Sequence, residues 1–352
     1  MDRLFDELVV VGCDWDEHVK QPNRGRPAGN IMWRYPDPSS DNSFHSVSVT
    51  SNNIRDFCLS FLEAEGMATQ KAAHMATMWR EVDEDALTEI LYSRTAIHGF
   101  GSSFCWRVGV AESQRYGVCV TRWEPENWPI LRDWATVESS GSPMKSIEDQ
   151  IKSCRVMPSG RYLITQRVYC LITRFPFFGL HFGVVRDILE HDRFGLMSCT
   201  GSGYKTPIAF SANPPFSPEC ASSVIALLKR YLSVPVPRPG GSLNIQISPH
   251  LSHTRVFNRG VLTQGEEAFH ATQYGAISLI RRVPSWLVVP LLSAVLLEMR
   301  VVIICSEVRE LTGVVFGLLG LIQPFNYCSV VVPVLPDRLS AVLDAPVPFI
   351  VG

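Results

Sequence analysis

The sequence predicts an α/β protein with two unlike lobes, a first lobe built on an antiparallel sheet and a second lobe built on a doubly wound parallel sheet. Two observations support this prediction. In the first half, apolar side chains such as Tyr116, Val118 and Val120 fall on one face of a strand-like segment, as in a hairpin with one buried face. In the second half, continuous apolar segments alternate with helix-like segments, which is typical of parallel strands covered on both faces.

Strands and helices of the first lobe follow from local patterns. Its predicted strands, each apolar along at least one face, are residues 7–11, 31–35, 57–61, 103–110, 115–123 and 169–178. Helices are predicted at residues 69–81, where Thr69 suits the N-cap, and at residues 179–190. Residues 124–159 are rich in Pro, Ser and charge and are predicted to form a long loop.

Proline and glycine divide the rest of the chain. We predict a first lobe over residues 1–192, a Pro/Gly-rich linker with one helix over residues 193–241, and a second lobe over residues 242–352. A proline-rich spacer is stiff, so we expect it to hold the lobes apart at a set distance. Predicted elements of the second lobe are helices at residues 290–298 and 307–322, strands at residues 300–305 and 329–335, and a helix that starts near residue 336.

Composition narrows the class of protein. With 46% hydrophobic and 19% charged residues the chain is expected to be compact and globular. A formal charge of −2 gives no indication of nucleic-acid binding. The apolar stretches 283–297 and 311–336 are interrupted by proline or polar residues, so both are predicted to be buried core and not membrane spans. The 10 cysteines form no CxxC pair, which predicts a reducing, cytoplasmic compartment.

No motif of bond-making chemistry is present. Residues 200–206 differ from a phosphate-binding loop because Tyr204 stands where glycine must precede the lysine. The histidine pairs, His181 with His191 and His250 with His253, lack converging partners and are interpreted as surface or polar residues. We therefore predict no catalytic residue, no cofactor and no metal ion.

A set of short motifs along the whole chain resembles the DENN domain family. The motifs include Tyr116-Gly117-x-Cys119 and the closing segment Ala-Pro-Val-Pro-Phe-Ile-Val-Gly at residues 345–352. Their positions, which keep the order found in the family, are residues 4–12, 32–36, 56–59, 115–119, 169–178, 234–240, 296–303, 324–325, 332–336 and 345–352. Residues 326–328 depart from the aromatic-and-histidine turn of the family, which leaves the choice of partner open.

The resemblance implies a fold and a function. It implies an upstream longin-like lobe, a core α/β lobe and a downstream helical part, so the second lobe is expected to be truncated and to leave apolar surface exposed. It also implies a guanine-nucleotide exchange factor for a Rab-type small GTPase in membrane traffic. The GTPase is expected to sit between the two lobes, and partners are expected to recruit the protein to vesicle or organelle membranes.

Two alternatives stay open within the same family. A GTPase-activating relative would present an arginine finger, and Arg115, at the head of a first-lobe strand, is the candidate for that GTPase contact. A non-catalytic scaffold would hold a GTPase without changing its nucleotide state.

Overall fold

A computed structural model describes much of both predicted lobes. The described residues are 3–13, 29–36, 51–68, 79–82, 103–109, 113–125, 162–200, 216, 221–246, 254–261, 265–325 and 327–352. Most of the predicted helix 69–81 and nearly all of the predicted loop 124–159 lie outside them, as do residues 201–206.

The first lobe contains a six-stranded antiparallel sheet. Its strands are β1 (Glu7–Cys13), β2 (Gly29–Tyr35), β3 (Trp79–Val82), β4 (Ser103–Val108), β5 (Arg115–Pro125) and β6 (Tyr162–Thr173). The spatial order is β2-β1-β6-β5-β4, and β3 pairs with the far end of β6. The predicted antiparallel lobe is confirmed, and β4 and β5 form the predicted hairpin with Cys105 opposite Val118.

Alternation along the strands gives the sheet two buried faces. One face carries side chains such as Val10, Val118 and Leu171, and the other carries Val9 and Ile172. Neighbouring residues of a strand point to opposite faces, so one sheet contributes to two separate cores.

Helix α1 (Ser51–Ala68) covers the second of these faces and corrects one prediction. We predicted a strand at residues 57–61 from the alternation of Phe57, Leu59 and Phe61. The buried residues are instead Ile54, Phe57 and Cys58, which have the i, i+3, i+4 spacing of one helical face. The sheet thus packs against the apolar side of α1.

Two helices cover the other face. Helix α2 (Phe178–Thr200) begins where the predicted helix begins but continues past residue 192, so the predicted lobe boundary falls within it. Helix α3 (Ala221–Ser233) matches the predicted linker helix and buries Val224, Leu228 and Tyr231.

The second lobe combines helices with a small parallel sheet. Its elements are β7 (Ser242–Ile245), β8 (Arg255–Asn258), α4 (Glu266–Arg282), α5 (Ser285–Leu296), β9 (Val301–Val302), α6 (Val308–Leu321), β10 (Val330–Val332), a 3₁₀ helix (Asp337–Asp344) and β11 (Phe349–Val351). Strands β10, β11 and β9 pair in that order and are parallel, which confirms the predicted sheet type. Coverage of the sheet is incomplete, since Val302 on the edge strand β9 is 52% exposed.

Helices α4 and α6 cross at very close range. The backbone of Gly275 on α4 lies against Gly313 and Gly317 on α6, and Gly320 lies against Thr272 one turn away. Gly313 and Gly317 thus allow close packing of one helix on another. Any side chain at these positions would push the two backbones apart.

The two lobes share their hydrophobic cores. Val315 and Phe316 of α6 belong to the same buried cluster as Phe178 of the first lobe, and Phe349 joins the cluster beneath α1. Arg3 pairs with Pro235, so the start of the proline-rich segment lies against the N-terminal segment. The spacer therefore does not hold the lobes apart, contrary to the sequence prediction.

Candidate functional site

The outer face of α5 is a large exposed apolar surface. Trp286, Val289, Leu296 and Leu297 recur at helical spacing on one side, and Trp286 and Leu297 are 74% and 73% exposed. We name these four residues the α5 surface. The sequence predicted residues 283–297 to be buried core, and this was wrong for the outer side of the helix. Exposed apolar surfaces of this kind mark sites where macromolecules bind.

The inner side of α5 anchors the helix. Leu291 and Leu292 pack against the main core, and Val295 is buried within it. Pro290 lies inside the helix and has no backbone N–H, so the carbonyl of Trp286 receives no helical hydrogen bond from it. The α5 surface is thus presented by a helix whose opposite side is fixed in the core.

The C-terminal end of α5 has a well-formed cap. The Glu298 and Met299 N–H groups donate to the carbonyls of Val295 and Ala294 at 3.1 and 2.9 Å, which is the Schellman pattern. Glu298 has a φ of 54°, the left-handed conformation that usually requires glycine. A glutamate at this position carries backbone strain directly beside the exposed surface.

Apolar exposure continues beyond α5, and charge surrounds it. Met299 and Ile304 in the following segment are exposed, Ile304 by 93%. Before α5, the guanidinium of Arg282 lies 2.9 Å from the carboxylate of Glu307 in an exposed ion pair. An apolar centre with charged residues at its edge is the usual anatomy of a protein interface.

Polar contacts close the junction between the lobes. The guanidinium of Arg107 on β4 lies 3.3 Å from the carboxylate of Glu267 on α4, and the Gln114 amide donates to that carboxylate at 3.1 Å. Arg255 and Asp187 form a second, two-pronged ion pair between β8 and α2. At these residues the junction is filled by protein side chains, whereas the α5 surface is open to solvent.

Arg115, the candidate arginine, is buried at the start of β5. Its guanidinium lies 2.8 Å from the Asp6 carboxylate, and Arg174 approaches the same carboxylate at 3.6 Å. Burial raises the pKa of Asp6, and the two arginines only partly oppose this shift. The structure therefore places Arg115 in a contact that fixes the N-terminal segment to β5, and its contact with a GTPase stays a prediction.

A second group of charges is buried in the first lobe. Glu124 lies between Arg122 at 2.9 Å and Arg167 at 2.7 Å, and the Tyr169 hydroxyl donates to its carboxylate. Arg122 also pairs with Asp192 of α2 at 2.7 Å. Buried charges need such partners, so this network joins the sheet to α2 and is structural.

The four histidines of the pairs noted in the sequence fall into two groups. His181 and His191, predicted as surface or polar residues, are buried. The His181 ring Nδ1 lies 2.9 Å from the Tyr231 hydroxyl, and the His191 Nε2 lies 2.8 Å from the Ser223 hydroxyl. His250 and His253 lie outside the described residues.

Two arrangements were not found from the sequence. The α5 surface was missed because a run of apolar residues does not reveal which side of its helix is covered. Cys58, Cys119 and Cys170, widely separated in the sequence, converge beneath α1. Only the pairing of strands and the placement of α1 bring those sulfurs together.

Membrane insertion of a helix can be assessed for the described part of the chain. None of its helices combines the length and the apolarity that crossing a bilayer requires. The helix α5, although apolar, has 12 residues, or roughly 18 Å of length.

Comparison with known proteins identifies a family resemblance in the same region. The profile of the DENN (AEX-3) domain family matches residues 164–352, from β6 to β11. The match thus includes the α5 surface, the α4–α6 crossing and the parallel sheet.

Individual relatives match at low identity. DENN domain-containing protein 2B of Mus musculus is 23% identical over 235 residues, which are 64% of this chain and 18% of that protein. DENN domain-containing protein 1A of Homo sapiens is 28% identical over 126 residues, which are 36% of this chain and 12% of that protein. Myotubularin-related protein 5 of Caenorhabditis elegans is 35% identical over 65 residues, or 18% of this chain and 4% of that protein. The matched segments are a minor part of each relative.

Proposed function

Because this chain belongs to the DENN (AEX-3) domain family, we propose that it promotes nucleotide exchange on a Rab-type small GTPase. The family match over residues 164–352 carries this proposal, and it confirms the family resemblance seen in the sequence motifs. The second observation in support is the α5 surface, since an exchange factor must offer its GTPase an accessible, well-anchored contact.

Exchange requires no bond-making residue on this chain. A GTPase holds its nucleotide through its own loops, and a partner accelerates release by binding the nucleotide-free form more tightly than the loaded form. Each tenfold of acceleration requires about 1.4 kcal/mol of preferential binding. The relevant chemistry is therefore a difference in contact energy between two conformations of the GTPase.

The α5 surface has the properties that such a contact needs. Tryptophan and leucine side chains bury large apolar areas, and burying one of them fully contributes about 1.5–3 kcal/mol. If the nucleotide-free GTPase covers Trp286 and Leu297 and the loaded form does not, these two side chains supply several tenfold increases in the exchange rate. We propose this surface as the GTPase contact, in place of the seat between the lobes that the sequence suggested.

Release of fluorescent GDP from a panel of Rab GTPases tests the proposal. We expect acceleration of at least one member by the wild-type chain, and we expect Leu297→Glu to lower the exchange rate at least about tenfold, by placing a charge where apolar surface must be buried. The matched control is Val261→Glu, since Val261 is 76% exposed, lies near the turn at Gly240 and is not part of α5.

The outcomes separate exchange from its alternatives. Binding of a Rab without faster release would favour a scaffold. An effect of Val261→Glu as large as that of Leu297→Glu would reject the α5 surface. Arg115→Ala, followed by phosphate release, addresses GTPase activation: a finger function predicts slower hydrolysis, whereas an exchange factor needs no finger.

A further inference from the structure

Three cysteine sulfurs meet in the core of the first lobe. The sulfurs of Cys58, Cys119 and Cys170 all lie within 4.8 Å of one another, and all three residues are buried and free of disulfides. Cys58 comes from α1, whereas Cys119 on β5 and Cys170 on β6 are direct partners across two central strands. The cluster is therefore built from three separate elements and held at the centre of the sheet.

An indole ring forms one side of this cluster. Trp106 stacks on Phe57 with ring centroids 5.1 Å apart, and its ring occupies the space that a side chain at Gly117 would fill. The buried Trp106 Nε1 has no hydrogen-bond partner among the described residues. Trp106 and the three cysteines belong to one buried cluster, so the indole ring helps to enclose the sulfurs.

We propose that Cys58, Cys119 and Cys170 form a binding site for a soft, thiophilic cation, and that this cation is Cu⁺. Thiolate ligands select Cu⁺, Zn²⁺ and iron–sulfur clusters, and Zn²⁺ in structural sites takes four ligands. Among the described residues no histidine or carboxylate joins the three sulfurs. A buried site with three sulfurs therefore fits a three-coordinate ion best.

The geometry is close to that of a trigonal site. Three sulfurs at about 2.3 Å from one ion lie about 4 Å apart. Small rotations of the cysteine side chains would bring sulfurs that lie within 4.8 Å of one another to this spacing. Binding would replace the thiol protons of the three cysteines and release them to solvent. The ion would connect α1 to β5 and β6, so loading should stabilise the first lobe, and this inference does not depend on the proposed exchange function.

A titration with Cu⁺ tests the three-cysteine site. The complete chain is reduced and titrated under anaerobic conditions, in competition with a Cu⁺ chelator. We expect one tightly bound ion, a raised melting temperature after loading, and at least about a 100-fold loss of affinity in Cys119→Ala. Cys105→Ala is the matched control, because Cys105 is equally buried on the neighbouring strand β4 but faces the other core. Its affinity should stay within about twofold of wild type.

Several results would overturn the assignment. Equal losses in the two alanine variants would show adventitious binding to the cysteines in general. Tighter binding of Zn²⁺ than of Cu⁺ would reject a three-sulfur site, and so would a Cys119–Cys170 disulfide in the protein as isolated. If Cys119→Ala does not fold, X-ray absorption at the copper edge of the loaded wild-type protein tests the site instead. Three sulfur ligands to copper would support the site, and two would contradict it.

Discussion

The crossing of α4 and α6 predicts opposite effects for the same substitution at two glycines. A methyl group added to Gly275 would lie 2.8 Å from the Gly317 Cα and closer still to the Gly313 carbonyl, whereas ordinary van der Waals contacts are 3.4–4 Å. Both obstacles are backbone atoms and cannot rotate away. A methyl group added to Gly179, near the start of α2, would meet no atom within 4 Å.

The expected magnitudes follow from packing and from helix propensity. Gly275→Ala must separate the two helices by about 1 Å, and overpacking of this kind costs about 1–3 kcal/mol. The separation also weakens the dispersion contacts along the crossing. Replacing glycine by alanine in a helix regains about 1 kcal/mol. We therefore expect Gly275→Ala to lower the free energy of unfolding by about 1–2 kcal/mol, and Gly179→Ala to raise it by up to about 1 kcal/mol.

Urea denaturation followed by tryptophan fluorescence and by circular dichroism measures both variants. Agreement of the two signals checks that unfolding is two-state, as a free energy of unfolding requires. If Gly275→Ala is as stable as wild type or more stable, the close crossing of α4 and α6 is refuted. Destabilisation by both variants would show a general effect of the substitution and would refute the same reasoning.

Three further predictions concern single side chains. Burial lowers the pKa of His181 from 6.5 to about 3, so the unfolded chain takes up the proton before the folded chain does as the pH falls. The free energy of unfolding should therefore drop by about 2 kcal/mol between pH 7.5 and 5. In urea titrations at several pH values, His181→Gln should make the free energy of unfolding depend less on pH. Glu298→Gly should stabilise the protein by about 1 kcal/mol by relieving the left-handed backbone at residue 298, whereas an equal gain in Glu298→Ala would point to charge and not to backbone strain. Glu124→Gln should cost about 3–5 kcal/mol in the free energy of unfolding, because Arg167 loses this carboxylate in the buried network and Arg122 keeps only that of Asp192. A loss below about 1 kcal/mol would contradict the buried network.

Local patterns were sufficient for most of the fold. The side chains on one face of β5 and the continuous apolar segment near β10 are typical of antiparallel and parallel strands, so both sheet types could be predicted. The single buried face predicted for the antiparallel strands was wrong, because α1 covers the opposite face as well. The segment at Phe57 was misread because its phenylalanines also alternate, and spacing over one or two turns cannot separate helix from strand. Ile54, one turn earlier, completes the helical pattern.

The candidate sites depend on information that local patterns do not contain. Whether a side of α5 is exposed depends on which elements pack against it. Pro290 also made the segment resemble a buried stretch that is interrupted by proline. The convergence of Cys58, Cys119 and Cys170 depends on strand register and on the position of α1. The place of Arg115 at the head of a strand likewise does not reveal that its guanidinium is buried against Asp6.

Affinity for a GTPase in its two nucleotide states tests the proposed function most directly. Immobilised Rab, either stripped of nucleotide or loaded with GDP and Mg²⁺, is titrated with the wild-type chain and with Leu297→Glu. We predict that the wild-type chain binds the stripped form at least about tenfold more tightly, a difference of about 1.4 kcal/mol, and that Leu297→Glu reduces this preference. Equal affinity for the two states, at any binding strength, would contradict nucleotide exchange by this protein.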